Sequence, residues 1–208
     1  MMEAIRVLYF FVFAMVVAAV EVEIEGPYGW AERLPTWYRT KGTVGRLYAA
    51  LLNGKPLTGY HLLMFTVPLF VFHLPFFEGK AWTWGAEAQV LSTLASWMIV
   101  WDFLWFLLNP AYGWRRFRSG NIWWHNRRWI WRLPLDYYAG IAASLAVAAT
   151  GWFTTGNLSV LEQHIKTLTG FVLLTLITLA IAPAYHRWYL YMRRPGMDDR
   201  HNAGIFHR

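Results

Sequence analysis

Three carboxylates at alternating positions, Glu21, Glu23 and Glu25, close an uncharged apolar run that extends from Val7 to Val20. Gly26 and Pro27 follow and break the segment. Glu21 and Glu25 stand four residues apart, so on a helix they share a face, while Glu23 points roughly the opposite way. Acids are poor company for a helix C-terminus, which is already negative, and two on one face also repel each other. A shared cation would remove both penalties. The spacing therefore predicts a metal site, with His61, Asp102 and His125 as co-ligands. A mixed carboxylate and imidazole donor set suits a divalent transition metal such as Zn, Fe or Mn. Inward-facing Glu and His on neighbouring helices are the usual way a bundle holds such an ion. Asp136 is the expected general base. Arg127, Arg128 and Arg132, interleaved with Trp in WWHNRRWIWRLP, are suited to anionic lipid headgroups.

Those residues need elements to position them, and hydropathy supplies the elements. The chain of 208 residues is 57% hydrophobic and only 15% charged, well below the quarter typical of soluble domains. Five segments approach the ~20 residues that cross a bilayer: 4–22, 58–77, 87–108, 135–153 and 165–187. The expected fold is an all-α integral membrane bundle of five transmembrane helices. It forms one domain over residues 1–208, with an interfacial Trp/Arg-rich segment between spans 3 and 4. Segment 1 has some features of a cleaved leader, with Arg6 before the apolar run and Ala18-Ala19 near a cleavage point. Its orientation argues that it is a retained span.

Orientation comes from charge. The loops 22–57 and 109–134 and the C-terminal end carry all but three of the 19 Lys and Arg residues; Arg6, Lys80 and Lys166 lie on the other side. The positive-inside rule places the N-terminus outside and the C-terminus in the cytoplasm. With that topology, Asp102 lies six residues, ~9 Å, from the cytoplasmic end of span 3. Glu21, Glu25, Tyr60, His61, His125, Asp136, Tyr137 and His186 fall in the same inner-leaflet layer. A charged side chain at membrane depth costs ~2.5–3.5 kcal/mol even on the lenient insertion scale, so Asp102 must be neutral, paired or bound to a cation. Trp101, Trp105, Trp123 and Trp124 could keep water from such a site. The sequence thus predicts a multi-pass cell-membrane protein of prokaryotic type, with membrane lipids as partners and a site facing the cytoplasm. A homo-oligomer is compatible with this reading. The net charge of +7 is assigned to the inner loops and not to nucleic acid. The absence of cysteine excludes disulfides, thiolate nucleophiles and Cys-ligated zinc or iron–sulfur centres.

Metal-dependent enzymology on a lipid or other amphiphile, by hydrolysis or oxidation, is the reading these residues favour. A proton or metal-ion transporter is the alternative. It needs polar groups through the outer half, where spans 1, 4 and 5 offer almost none. A haem carrier would have to use His61, His73, His164 and His186, and twelve residues between His61 and His73 turn a helix about 120° off a common face. A non-catalytic scaffold would tolerate Gln or Asn at Glu21, Glu25 and Asp102.

Overall fold

The computed structural model describes residues 2–52, 54–125 and 128–194. Its order is α1 (Met2–Glu25), β1 (Tyr38–Arg39), α2 (Gly42–Leu51), β2 (Leu57–Thr58), α3 (Gly59–Phe77), α4 (Trp84–Leu108), α5 (Gly113–Arg116) and a single 3₁₀ turn (Trp123–His125). Then follow β3 (Trp129–Ile130), β4 (Leu133–Pro134), α6 (Leu135–Thr155) and α7 (Ser159–Met192). Long helices stand at all five expected segments. Four of them, α1, α3, α4 and α7, are long and apolar enough to cross a membrane. α6 has 21 residues, but its Ala, Gly and Thr content leaves it less apolar than the other four. α7 outruns its expected boundaries at both ends, from Ser159 to Met192.

α4 is the hub. It packs on α1, α3, α6 and α7, and 56% of its most apolar stretch is buried, against 17% for α3 and α7. A helix apolar on every side is stable only when surrounded, and α4 is apolar on every side. Its small residues Ala88, Ser92 and Ser96 are fully covered, which lets neighbours approach closely. On the outer helices the large side chains face outward instead. Leu8, Val12 and Val16 on α1, Phe70 on α3 and Leu176 and Ile181 on α7 are all exposed. Continuous apolar surface on this scale suits hydrocarbon and is atypical of a soluble monomer.

Two small antiparallel pairings clamp the loops at the other end of the hub. Tyr38 pairs with Thr58 and Arg39 with Leu57, which pins the loop after α1 to the start of α3. Trp129 pairs with Pro134 and Ile130 with Leu133, a hairpin that delivers the chain into α6.

Candidate metal centre

Glu21 and Glu25 both turn inward from the last turns of α1 and are buried. Glu23 turns outward and pairs with Arg193 at 3.5 Å. Gly26 ends the helix in the left-handed region, φ +61, where a residue without Cβ is unstrained. Two further residues take the same region without that freedom: Trp30 at φ 53 and Ala31 at φ 54. Such a conformation costs about 1–3 kcal/mol for an ordinary residue and persists only where neighbours enforce it. Here they do. The Ala31 N–H donates to Glu25 Oε1 at 2.6 Å. Trp30 Nε1 donates to the Pro56 carbonyl at 2.9 Å, and the Tyr38 hydroxyl donates to the carbonyls of Trp30 and Ala31. The strained turn thus fixes one oxygen of Glu25. It also lays the Trp30 ring flat on His61, centroids 4.0 Å apart and 14° from parallel.

His61 enters from the first turn of α3. Thr58 caps that helix by accepting the His61 backbone N–H at 3.1 Å, and the same hydroxyl lies 2.8 Å from His61 Nδ1. When Nδ1–H donates to Thr58, the Nε2 lone pair is left pointing at the acids; it lies 3.9 Å from Glu25 Oε1. Glu21, Glu25 and His61 each offer a ligand atom, and these atoms lie within 4.8 Å of one another. Two ligands on one ion with bonds of about 2.1 Å can stand at most ~4.2 Å apart. A slight inward rotation of the side chains therefore closes the group around one ion. Three protein ligands leave coordination positions open, as a catalytic site requires.

The other two expected ligands line the same cavity but face each other. Asp102 Oδ2 accepts from His125 Nε2 at 3.0 Å and from the Tyr137 hydroxyl at 2.5 Å. His125 Nδ1 lies 3.4 Å from Asp136 Oδ2. The imidazole is thus held between two carboxylates, with both ring nitrogens committed. His125 itself is placed by the 3₁₀ turn, whose Trp124 packs over Gly29; a Cβ on Gly29 would lie 1.9 Å from the Trp124 ring.

The cavity has a volume of about 270 Å³. Trp30, Trp101, Trp105 and Trp124 wall it, while Trp123 is exposed and takes no part. Trp101 and Tyr60 direct their polar atoms toward Glu21. Trp105 Nε1 is buried and has no acceptor among the described residues. Four carboxylates line or border this small space, and one lysine opposes them. That lysine, Lys55, is 8% exposed and sits 4.5 Å above the Trp30 ring. Burial lowers its pKa from the ordinary lysine value, and the charges of Asp102 and Asp136 partly restore it.

Lys55, Trp30 and Thr58 escaped the sequence reading. Lys55 reads there as one more inner-loop cation, and no local pattern marks Trp30 or Thr58 as neighbours of His61. A Thr at the residue before an apolar helix is an N-cap signal, and it is the one clue the sequence carries. Arg127 lies outside the described residues. Arg128 is exposed. Arg132 stacks on Trp114 at 4.5 Å and donates to its carbonyl at 3.0 Å.

Asn109, the residue that follows α4, donates its side-chain amide to the Gly26 carbonyl at 2.7 Å and accepts from Ala111 N–H. It ties the end of α4 to the end of α1. His186 Nε2 donates to the Leu107 carbonyl at 2.7 Å and so stands apart from the acids. In the opposite half of the bundle, His73 pairs with Glu87 at 3.1 Å and His164 Nε2 lies 3.0 Å from Ser144 Oγ. These partners leave His73, His164 and His186 engaged away from any common centre. That half also holds half-buried polar pairs: Gln89 with Gln163, and Arg6 with Thr167 at 3.4 Å. It is therefore more polar than the sequence suggested, because α4, α6 and α7 turn their few polar residues toward one another. Buried Phe11, Ala14, Trp97 and Phe171 occupy the middle of the bundle. Set against family models, curated proteins and solved structures, the chain matches none.

Proposed function

We propose that this protein is a membrane-embedded, metal-dependent enzyme with its site at the cytoplasmic membrane interface, acting on a lipid or another amphiphile. In this reading all five long helices span the bilayer, with the N-terminus outside and the C-terminus in the cytoplasm. The observation that carries it is the group Glu21, Glu25 and His61, buried together on one cavity wall. Two adjacent buried carboxylates are costly without a cation, and the third donor is an imidazole already oriented by a buried hydroxyl. A divalent transition metal held there would polarise a carbonyl or phosphoryl oxygen or activate water. Asp136 borders the cavity and faces His125, so a proton taken up at Asp136 can pass along the Asp136–His125–Asp102 line. The tryptophan walls help keep bulk water from Glu21 and Glu25, both of which are buried.

The test is elemental analysis of the purified full-length protein. The expected result is about one equivalent of transition metal, lost in Glu25→Gln and His61→Ala and retained in Glu23→Gln. Protein that is metal-free and indifferent to chelators as purified, and that takes up none on reconstitution, would overturn the reading.

A second reading, an ion path, is favoured by one observation, the buried polar layer around His164 and Ser144. It requires conduction past Trp97 and Phe171. Proton flux into liposomes that survives Glu25→Gln but not His164→Leu would select it.

A further inference from the structure

The cavity has a neighbour. A groove of about 730 Å³ runs between α4, α6 and α7 and is walled almost wholly by apolar side chains. Ile99 of α4 and Tyr137 of α6 line both spaces. Gly140 lets the two helices close up at this point; a Cβ there would lie 2.6 Å from Ile99 Cδ1. The partition between groove and cavity is therefore built from two side chains, one of them the tyrosine that donates to Asp102.

The groove has a direction. At one end stand Trp131, Arg132 and Tyr138, and Trp131 is 94% exposed. At the other end its lining reaches Leu145 and Leu168, well inside α6 and α7. On α7 the lining runs from Leu168 to Leu179, about 16 Å of helix, close to the ~15 Å of one leaflet. The cavity meets the groove at the polar end, because Tyr137 lies in the first turn of α6. A hydrocarbon chain lying in the groove would thus have its head, and not its middle or tip, beside the cavity.

We propose that the groove holds the chain of the substrate, and that the substrate is a long-chain amphiphile with a compact anionic oxyacid head. The head reaches the Glu21–Glu25–His61 site past Ile99 and Tyr137. This deepens the metal-enzyme reading and rests on it for the chemistry. Three features speak for that head. Lys55 is a buried cation on the cavity wall, and Arg132 is a second cation at the rim of the groove. Trp105 lines the cavity with an indole N–H that has no acceptor among the described residues, a donor ready for a head oxygen. The cavity itself, at about 270 Å³, lies just under the ~300–1,000 Å³ usual for ligand pockets and accepts a small head only. Chemistry therefore falls at the head end of the molecule and not at mid-chain.

The test uses a long-chain fatty acid carrying a diazirine at its methyl end, with the zinc-loaded full-length protein in phosphatidylcholine nanodiscs. Irradiation and peptide mapping should place the label on the groove face of α6 and α7, around Leu145 and Val172. Unlabelled long-chain fatty acid should compete, and its methyl ester should not. Leu145→Trp fills the groove and should lower labelling at least tenfold with bound metal unchanged. Lys55→Met should abolish the preference for acid over ester, again with metal retained. Label spread evenly over the lipid-facing sides of α1 and α3, or acid and ester competing equally, would overturn the proposal even if metal is bound. Metal content is read on the same samples. Specific labelling of a protein that binds no metal would leave the groove's occupant standing and remove the enzyme reading alone.

Discussion

Thr58→Val isolates a single oxygen on which both folding and metal binding depend. Valine keeps the volume and the β-branch of this fully buried residue and removes only the hydroxyl. Two contacts go with it, the cap on the His61 backbone N–H at 3.1 Å and the partner of His61 Nδ1 at 2.8 Å. Loss of the cap costs about 1 kcal/mol, and a buried ring nitrogen left unpaired costs about 1–3 kcal/mol. Together these give ~2–4 kcal/mol. At ~2–4 °C per kcal/mol for a chain of 208 residues, the metal-free melting midpoint should fall by about 4–16 °C. A second effect concerns the metal. Removing the group that orients a ligating histidine typically costs 10–100-fold in affinity, or ~1.4–2.7 kcal/mol. Metal should therefore stabilise Thr58→Val by that much less than it stabilises the wild type at equal zinc. Melting in detergent with and without zinc, alongside chelator competition, reads both quantities. Thr58→Ser should restore both. Wild-type zinc affinity in Thr58→Val would refute the idea that this hydroxyl sets the imidazole.

Two further outcomes follow from the same geometry. Gly29→Ala drives a methyl group into the Trp124 ring, which is itself pinned by Phe106 and Trp105, so overpacking should cost about 1–3 kcal/mol and lower the melting midpoint; an unchanged midpoint would contradict the close approach. For Lys55 the ammonium form is disfavoured in the fold, so its penalty is present in full below the lowered folded pKa and fades as pH rises through that value toward ~10.4. Lys55→Met should accordingly melt higher than the wild type at neutral pH in metal-free protein, with the difference shrinking toward pH 10; a difference that grows with pH would show that the sign is wrong.

The positions of the long helices were legible in the sequence because hydropathy over ~20 residues is a local property. α6 is the instructive case. Its length was legible, yet its Ala-rich composition sets it below the other four in apolarity, since a helix that packs closely on α4 needs small residues more than greasy ones. The inward turn of Glu21 and Glu25 was legible for a similar reason, as was the outward turn of Glu23, because helical spacing sets the face. Partition of the acids and imidazoles was not. Glu21, Glu25, His61, Asp102 and His125 all arrive at one layer, and depth alone cannot tell a ligand from the partner of another side chain. The structure separates them: His61 lies with the two glutamates, and His125 lies between Asp102 and Asp136.

From the sequence alone come an apolar chain of long helices, a face carrying Glu21 and Glu25, and a layer where acids and histidines gather. All of these are set by composition and by the 1.5 Å rise and 3.6-residue turn of a helix, which need no knowledge of distant residues. Only the tertiary structure decides that Trp30 stacks on His61, that Thr58 orients its ring, that Lys55 is buried opposite the carboxylates and that an apolar groove abuts the cavity. Those residues sit in loops or on different helices. Their positions follow from a left-handed turn at Trp30 and Ala31, a short strand pairing at Thr58 and the close approach at Gly140, each enforced by contacts between segments far apart in the chain.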